Sequence, residues 1–416
     1  MLNIFAGRFP TVSFTLKTSY PLGIPKARKR RIDVQTFGDQ PILLAPGPVP
    51  LSQEVLTALA LPMIHHRTDE FSQILESCLQ RLKWVFQTEQ PVLILPSTGS
   101  GGMEALLINV LSPGDEVLAI ISGKFGERWA EMAETFGYKV STYNVPWGEA
   151  AEPKKLEQLL KENPQFKAVI GQVCETSTAT LHPIKQLAQT VQQHSKALFL
   201  VDAITGVGAT QLLMDQWGID GVVAGSQKAF KLPTGLAMLA LSDRAWQTYK
   251  TSTTPKFAFD LGKELKANQK STTFFSSSVT LIRALDVALN SFVGDGLNQS
   301  IQRCEQLAKV TREHFETLGL TTYSKSSAPS VTALNLPEAI DGKKFKSDLE
   351  TKYGVTLGGG QDQLAGKIIR IGHLGEITND LYTEGLRRIH QAMRDYGIFP
   401  KDIDSERHIQ SSIAKL

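Results

Sequence analysis

The chain has 416 residues, 42% of them hydrophobic, which is enough to bury a large core and to form two domains. Its net charge is +3, but residues 1–32 hold seven Lys or Arg and no acid. The rest of the chain therefore has 37 basic and 41 acidic residues, and this slightly acidic balance argues against nucleic-acid binding. Cys78, Cys174 and Cys304 are too widely spaced to predict a disulfide framework or a metal site, and no apolar stretch approaches the roughly 18 residues of a membrane span.

Residues 1–36 differ in composition from the rest of the chain, being basic, rich in Ser and Thr, and free of acid before Asp33. This composition is typical of an organellar transit peptide, and equally of a plain N-terminal extension or a start codon assigned too early. There is no long apolar region, so secretion is not expected. The expected location is therefore cytoplasmic, or organellar (plastid or mitochondrion) if the segment is a transit peptide.

From residue 92 to residue 241, apolar runs alternate with amphipathic stretches. The runs predict strands at 92–95, 116–121, 138–143, 167–173, 197–202, 220–224 and 236–241. The amphipathic stretches predict helices at 102–111, 127–136, 154–162 and 184–193. Such alternation predicts an α/β fold in which a mostly parallel sheet carries helices on both faces.

A glycine-rich loop follows the first of these strands. The sequence Pro96-Ser97-Thr98-Gly99-Ser100-Gly101-Gly102 leads into residues with helical spacing. Small residues at a helix N-terminus leave backbone N–H groups free to converge on a phosphate, and Thr98 and Ser100 add hydroxyl groups. The loop lacks the features of a P-loop or a dinucleotide-binding fingerprint, so it suits one monophosphate, although tight turns use glycine too.

Two later strands each end in one ionisable residue. Asp202 closes the run 197–201, and Lys228 follows the run 221–224. Reactive groups of open α/β sheets gather at the carboxyl ends of strands. A lysine and a carboxylate so placed suit pyridoxal phosphate (PLP): the amine forms a Schiff base with the aldehyde, and the carboxylate keeps the pyridine nitrogen protonated. A surface lysine and a helix-capping aspartate would leave the same pattern.

The C-terminal part predicts a second, smaller α+β unit. A helix-rich stretch at 279–318 leads away from the large sheet. It is followed by strands at 331–336, 354–357 and 368–371, by helices at 342–353 and 378–396, and by a loosely held polar tail at 400–416.

Together these motifs resemble class V (fold-type I) PLP-dependent aminotransferases, closest to the alanine–glyoxylate and serine–glyoxylate group. The similarity extends from about Leu43 to about Met393. It is carried by 44–48, 98–104, 201–203, 225–228 and 369–372. The resemblance implies a large PLP-binding α/β domain at 61–296, a small α+β domain at 37–60 and 297–399, and a homodimer whose site is shared across a two-fold interface.

The resemblance also assigns site residues. Lys228 and Asp202 are the expected catalytic pair. The expected cofactor-binding residues are Thr98, Gly99, Ser100, Phe125, Thr176, Asp202, Ile204, Gln227, Lys228, Thr273 and Ser276. Phe125 corresponds to the aromatic residue that stacks on the cofactor ring, although a lone Phe is more often a core residue. Thr176 lies in a Ser/Thr cluster that could equally form a turn. Thr273 and Ser276 correspond to phosphate contacts made from the neighbouring subunit, in an uncertain register because the family's prolines are missing.

Two residues are expected to bind substrate. Arg370 lies in an apolar run, where a guanidinium suits bidentate binding of a carboxylate, which every amino-acid or oxo-acid substrate carries. The alternative is an arginine on an edge strand that faces water. Gly47 lies in the turn Ala45-Pro46-Gly47-Pro48, whose backbone family members place beside the substrate.

The predicted activity is transfer of an amino group from alanine or serine to a 2-oxo acid such as glyoxylate, without a metal. Aspartate or glutamate as donor stays open. A cysteine desulfurase-like lyase needs a nucleophilic cysteine on a mobile loop, and Cys304 lies in a helical-looking stretch. Some relatives carry a hydrogenase-subunit name, which would make the chain a partner in a redox complex, but a metal-bearing subunit needs spaced cysteine pairs. A non-catalytic protein would be expected to lose Lys228 or Asp202.

Overall fold

The computed structural model describes residues 41–399, so the expectations for residues 1–36 and for the tail 400–416 lie outside the described residues. The strands are β1 Ile42–Leu43, β2 Val92–Leu95, β3 Glu116–Ile121, β4 Lys139–Asn144, β5 Ala168–Gln172, β6 Cys174–Glu175, β7 Thr180–Leu181, β8 Leu198–Asp202, β9 Gly221–Gly225, β10 Ala237–Leu241, β11 Val331–Asn335, β12 Val355–Thr356, β13 Gly358–Gly359 and β14 Ile368–Gly372. The helices are α1 Gln53–Ala60, α2 Asp69–Phe86, α3 Gly99–Val110, α4 Lys124–Thr135, α5 Pro153–Glu162, α6 Ile184–His194, α7 Met214–Trp217, α8 Asp243–Tyr249, α9 Leu261–Asn268, α10 Val279–Ala288, α11 Gly296–Glu316, α12 Gly342–Tyr353 and α13 Asn379–Asp395.

Seven of the described strands form one sheet in the order β2-β10-β9-β8-β5-β3-β4. Strand β10 runs antiparallel to both of its neighbours, and the other pairs are parallel. Strands buried on both faces read as continuous apolar runs, which is why the sequence pattern located them. The predicted α/β fold with a mostly parallel sheet is confirmed.

Apolar residues cover both faces of this sheet. Side chains alternate along a strand. In β8, Phe199 and Val201 belong to one buried apolar cluster, and Leu198 and Leu200 belong to another. Helices pack on each side of the five inner strands, which are buried along most of their length, whereas the edge strand β4 carries exposed polar residues such as Ser141 and Thr142.

Helix α2 was not predicted from the sequence. Its buried residues recur at helical spacing, from Phe71 and Leu75 through Cys78 to Leu82. The signal for its start was present, because Thr68 caps the helix and Asp69 and Glu70 occupy the first turn.

A smaller three-stranded sheet has the order β11-β14-β13, with both pairs antiparallel. Strand β1 pairs in parallel with β12, so the segment before the large sheet joins the C-terminal part of the chain. Helix α1, unlike β1, packs with the large sheet: its residues Val55 and Ala58 lie in the same apolar cluster as Phe199 and Val201 of β8. The domain boundaries at residues 60 and 297 stay a prediction.

Within residues 41–399, no helix is long and apolar enough to cross a membrane.

The carboxyl ends of β8 and β9 lie side by side, since Asp202 is in register with Val223. This adjacency brings the residues that follow each strand to the same edge of the sheet.

Candidate active site

A cavity of about 230 Å³ lies at the carboxyl edge of the large sheet. Ten of the residues predicted from the sequence line it: Gly47, Thr98, Gly99, Ser100, Phe125, Thr176, Asp202, Ile204, Gln227 and Lys228. These residues come from six separate segments between residues 47 and 228. The fold therefore gathers in one cavity ten of the residues that the sequence predicted to bind cofactor or substrate.

Lys228 lies in the turn after β9, and its Nζ donates a hydrogen bond to the Pro46 carbonyl at 2.6 Å. Burial lowers the pKa of Lys228 to about 8, with a further lowering from Arg370 and opposing contributions from Cys174 and Asp202. The neighbouring Gly47 has φ +140°, and a Cβ added there would lie 2.5 Å from Lys228 Nζ. The positive φ favours glycine at this position, and the lack of a side chain leaves room for the lysine.

Asp202 ends β8 and is almost fully buried. One carboxylate oxygen accepts a hydrogen bond from the Ile204 N–H at 2.9 Å. Burial raises the pKa of Asp202 to about 7, and the Ile204 hydrogen bond and the charge of Lys228 act in the opposite direction. A buried carboxylate of this kind is stabilised in its charged form by a cationic partner.

The glycine-rich segment differs from the predicted loop, because α3 already begins at Gly99. Thr98 is the N-cap, and its hydroxyl accepts from the Gly101 N–H at 3.4 Å. The N–H groups of Gly99 and Ser100 have no acceptor within their own helix, as in the first turn of any α-helix. The first turn of α3 therefore presents backbone donors at the cavity.

Phe125 and Thr176 form another part of the cavity lining. The Thr176 hydroxyl donates to Thr205 Oγ1 at 2.9 Å. The Arg128 guanidinium lies over the Phe125 ring, 5.0 Å from its centroid. Neither role expected from the sequence for Phe125 or Thr176 is tested by these contacts, and both stay predictions.

Pro48, in the turn predicted to lie beside the substrate, also lines the cavity, whereas sequence reasoning missed Met103, Arg128, Thr205 and Thr234. Arg128 could have been found, because it lies three residues after Phe125 on the same helix, and residues at this spacing share a helix face. It also missed Glu175, a fully buried carboxylate beside Thr176.

Arg370 lies next to the cavity and is buried. Its Nη1 donates to the Thr176 carbonyl at 2.7 Å and its Nε to the Gly359 carbonyl at 2.9 Å. Strand β14 is the middle strand of its sheet, so the alternative of an edge-strand arginine facing water is wrong. Burial lowers the pKa of Arg370, while Glu175 and Cys174 raise it. Within the described residues, no carboxylate lies at ion-pair distance from its guanidinium.

Thr273 and Ser276 do not line this cavity. Thr273 is buried, with its hydroxyl donating to the Phe275 carbonyl at 2.6 Å, and its own carbonyl accepts from Arg67 Nη1 at 2.7 Å. Ser276 is exposed. Their expected role, from a neighbouring subunit, stays a prediction.

The residues present fit PLP. The Gln227 side chain lines the same cavity, and its oxygen is buried without a hydrogen-bond donor among the described residues, which leaves an acceptor that a donor group of a bound molecule would satisfy. A Cβ added to Gly99 would lie 2.5 Å from Ile204 Cδ1, so glycine keeps the helix start close to the end of β8. Backbone donors for a phosphate, a carboxylate for a ring nitrogen and an amine for an aldehyde thus share one cavity.

Comparison with known sequences identifies the family. The profile described as Aminotransferase class-V matches residues 52–371, well over half of the chain. The chain belongs to the class V aminotransferases. The resemblance stated from the sequence motifs is thereby confirmed, and this class V chain is an aminotransferase rather than a binding protein that retains only the fold.

Relatives of this class V aminotransferase carry different names. A "Soluble hydrogenase, small subunit" of a Synechococcus species is 40% identical over 81% of this chain and 88% of the relative. The L-aspartate–glyoxylate aminotransferase of Paracoccus denitrificans is 32% identical, covering 86% of this chain and 92% of its own length. The crystal structure of an alanine–glyoxylate aminotransferase from a Nostoc species superposes with a TM-score of 0.81 at 27% identity, over 91% of this chain and 98% of that one.

Proposed function

We propose that this class V aminotransferase uses pyridoxal phosphate to move an amino group from a small amino acid, alanine or serine, to a 2-oxo acid such as glyoxylate. The observation that carries the proposal is the position of Lys228 and Asp202 in one cavity with the first turn of α3. We further propose that the active form is a homodimer, located in the cytoplasm or in an organelle.

Each part of the cofactor has a candidate partner. The N–H groups of Gly99 and Ser100, with the Thr98 hydroxyl and the amide nitrogen of Gln227, would donate hydrogen bonds to the phosphate. Asp202 would pair with the protonated ring nitrogen. Phe125 would lie against the ring face, a contact worth about 0.5–1.5 kcal/mol beyond burial. When bound, pyridoxal phosphate supplies an electron sink that stabilises negative charge at the substrate α-carbon.

Lys228 moves the proton in this proposal. Its Nζ would take a proton from the substrate α-carbon and deliver it to the cofactor C4′ carbon two atoms away, and the first of these transfers requires a neutral amine. Because burial lowers the pKa of Lys228 to about 8, a useful fraction is neutral near physiological pH. The Pro46 carbonyl, 2.6 Å from Nζ, orients the amine.

Arg370 binds the substrate carboxylate. Its hydrogen bonds to Thr176 and Gly359 fix the plane of the guanidinium, so little side-chain entropy is lost when a carboxylate binds.

Two alternatives have an observation behind them. The relative from Paracoccus denitrificans is named for L-aspartate, which supports aspartate as an alternative donor. The relative from a Synechococcus species is named as a hydrogenase subunit, which supports a role in a redox complex. Among residues 41–399 no group of three or more His, Cys, Asp or Glu could hold a metal ion. A cysteine desulfurase-like reaction is less well supported, because Cys78, Cys174 and Cys304 are all buried.

The test is a panel of amino donors, including alanine, serine, aspartate and glutamate, against glyoxylate, pyruvate and 2-oxoglutarate. We expect the absorbance of the cofactor-loaded protein to bleach fastest with alanine or serine, and glyoxylate to restore it. Fastest bleaching by aspartate would replace the proposed donor. No bleaching by any donor, in a protein that binds the cofactor, would contradict transamination.

A further inference from the structure

Helix α4 begins without a cap of its own. It follows Gly123, which has no side chain to accept hydrogen bonds from the first turn. The first N–H groups of a helix lack intrahelical acceptors, so a buried start needs acceptors from elsewhere. This helix carries Phe125, part of the proposed cofactor site, as its second residue.

The missing cap comes from a segment about 50 residues further along the chain. The Lys124 N–H donates to Ser177 Oγ at 3.0 Å. The Phe125 and Gly126 N–H groups donate to Glu175 Oε2, at 3.1 and 3.0 Å. Ser177 also donates its own N–H, at 3.1 Å, and its hydroxyl to Glu175 Oε1. One carboxylate therefore organises both the start of α4 and the segment that follows β6.

The same short segment contacts the proposed substrate arginine. Thr176 lines the cavity, and its carbonyl accepts from Arg370 Nη1 at 2.7 Å. Moving Glu175 would displace Phe125 on one side and the Thr176–Arg370 contact on the other. The ring face of the cofactor site and the carboxylate-binding group thus depend on one buried side chain.

Glu175 also sets the charge of the site. It is fully buried, and burial raises its pKa, whereas its hydrogen bonds to Ser177, Gly126 and Phe125 act in the opposite direction. The charge of Glu175 raises the pKa of Asp202 and favours the charged form of Arg370. The charges of Asp202, Glu175, Lys228 and Arg370 therefore influence one another in a poorly solvated region, where a missing charge has a large effect.

We propose that Glu175 is a positioning residue that caps α4 from a distance and so holds Phe125 and Arg370 in place for cofactor and substrate. The proposal rests on the proposed function for its consequence in catalysis. The cap itself does not depend on any bound group, so the two can be tested separately.

The first experiment measures the cap alone. Amide hydrogen exchange of the cofactor-free protein is compared between wild type, E175Q and E134Q, the last being the same substitution at an exposed position of α4. In E175Q an amide replaces the carboxylate acceptor of the Phe125 and Gly126 N–H groups. We expect those two amides to exchange about tenfold or more faster in E175Q, and at the wild-type rate in E134Q. Unchanged exchange in E175Q would overturn the proposal.

The second experiment measures the consequence for the site. We expect E175Q to raise the dissociation constant for pyridoxal phosphate about tenfold and the KM for the amino donor more than it lowers kcat. The acid limb of the pH profile for cofactor binding should move to lower pH, because the charge that raises the pKa of Asp202 is gone. A merely structural role would not shift this limb. The proposal would also be overturned if E175Q had the same dissociation constant, the same KM and the same position of the acid limb as the wild type.

Two further outcomes have defined meanings. If E175Q does not fold, E175D keeps the charge but shortens the reach by one methylene. In that variant, faster exchange at Phe125 and Gly126 supports the cap, and wild-type exchange overturns it. If the wild-type chain does not bind pyridoxal phosphate, the proposed function fails, and the role of Glu175 in the site fails with it. If the wild-type chain binds pyridoxal phosphate and E175Q has the same dissociation constant, KM and pH profile, only the role of Glu175 fails.

Discussion

The two ends of the candidate active site are built in different ways. At the α3 end the donors are mainly backbone N–H groups at the start of a helix, held close to the sheet by glycine. At the other end the groups are buried charged side chains: Lys228 and Arg370 are held by contacts with distant segments, and Asp202 by the N–H of Ile204. Backbone donors survive most side-chain substitutions, whereas a buried charge that loses its partner is costly. Substitutions at the charged end should therefore have much larger effects than those at the helix end.

The largest expected effect in this comparison is that of D202N. The amide keeps the shape but removes the negative charge opposite the proposed ring nitrogen. We expect kcat/KM to fall by about 100-fold or more, since breaking a buried charge pair costs about 3–5 kcal/mol. Steady-state kinetics with saturating pyridoxal phosphate check this. A loss below about threefold would show that Asp202 does not act on the cofactor.

A smaller effect is expected for R370K. Lysine keeps the charge but loses the planar fork and the separate hydrogen bonds to Thr176 and Gly359. We expect KM for the amino donor and for the oxo acid to rise about 10- to 100-fold with a smaller change in kcat. R387K, at a partly exposed arginine of α13 that does not line the cavity, is the matched control. Equal KM values for R370K and wild type would remove Arg370 from the substrate site.

The pH dependence should reveal the charged end as well. At pH 7 about one Lys228 amine in ten is neutral if its pKa is about 8. The neutral fraction rises with pH and levels off above the pKa, so the rate at which cofactor-free protein captures pyridoxal phosphate should rise about tenfold from pH 7 and flatten near pH 9. Stopped-flow absorbance measures this rate. A rate still rising steeply at pH 10 would indicate an unshifted lysine.

The smallest effect should come from the helix end. S100A removes one hydroxyl but leaves the backbone N–H groups of α3 in place. We expect the dissociation constant for pyridoxal phosphate to rise about fivefold, in line with the loss of one hydrogen bond of about 1 kcal/mol. Isothermal titration of the cofactor-free protein gives this value. A loss as large as that of D202N would abolish the distinction between the two ends.

The glycine-rich segment and the residues at the strand ends could be predicted from the sequence, because each is indicated by neighbouring residues in the chain. Apolar runs located the seven strands of the large sheet, and the position of Asp202 and Lys228 just after two such runs predicted a shared site. The start of α3 at Gly99 was missed, because a capped helix and a glycine-rich loop have the same composition.

Contacts between distant segments could not be predicted in the same way. Glu175 lies in a Ser/Thr cluster that resembles an ordinary turn, and nothing near it in the sequence indicates that it caps a helix beginning at Lys124. The contact between Arg370 and Thr176 joins residues 194 positions apart. Such pairs become visible only once the sheet order and the packing of β14 are known.

The most direct test of the account reduces the cofactor-loaded protein with borohydride and maps the modified peptide by mass spectrometry, with K228A as control. Reduction fixes the cofactor to whichever amine holds it. The account predicts one phosphopyridoxyl group, on Lys228, and none on K228A. Modification of a different lysine, or no modification of a protein that has been saturated with pyridoxal phosphate, would contradict it.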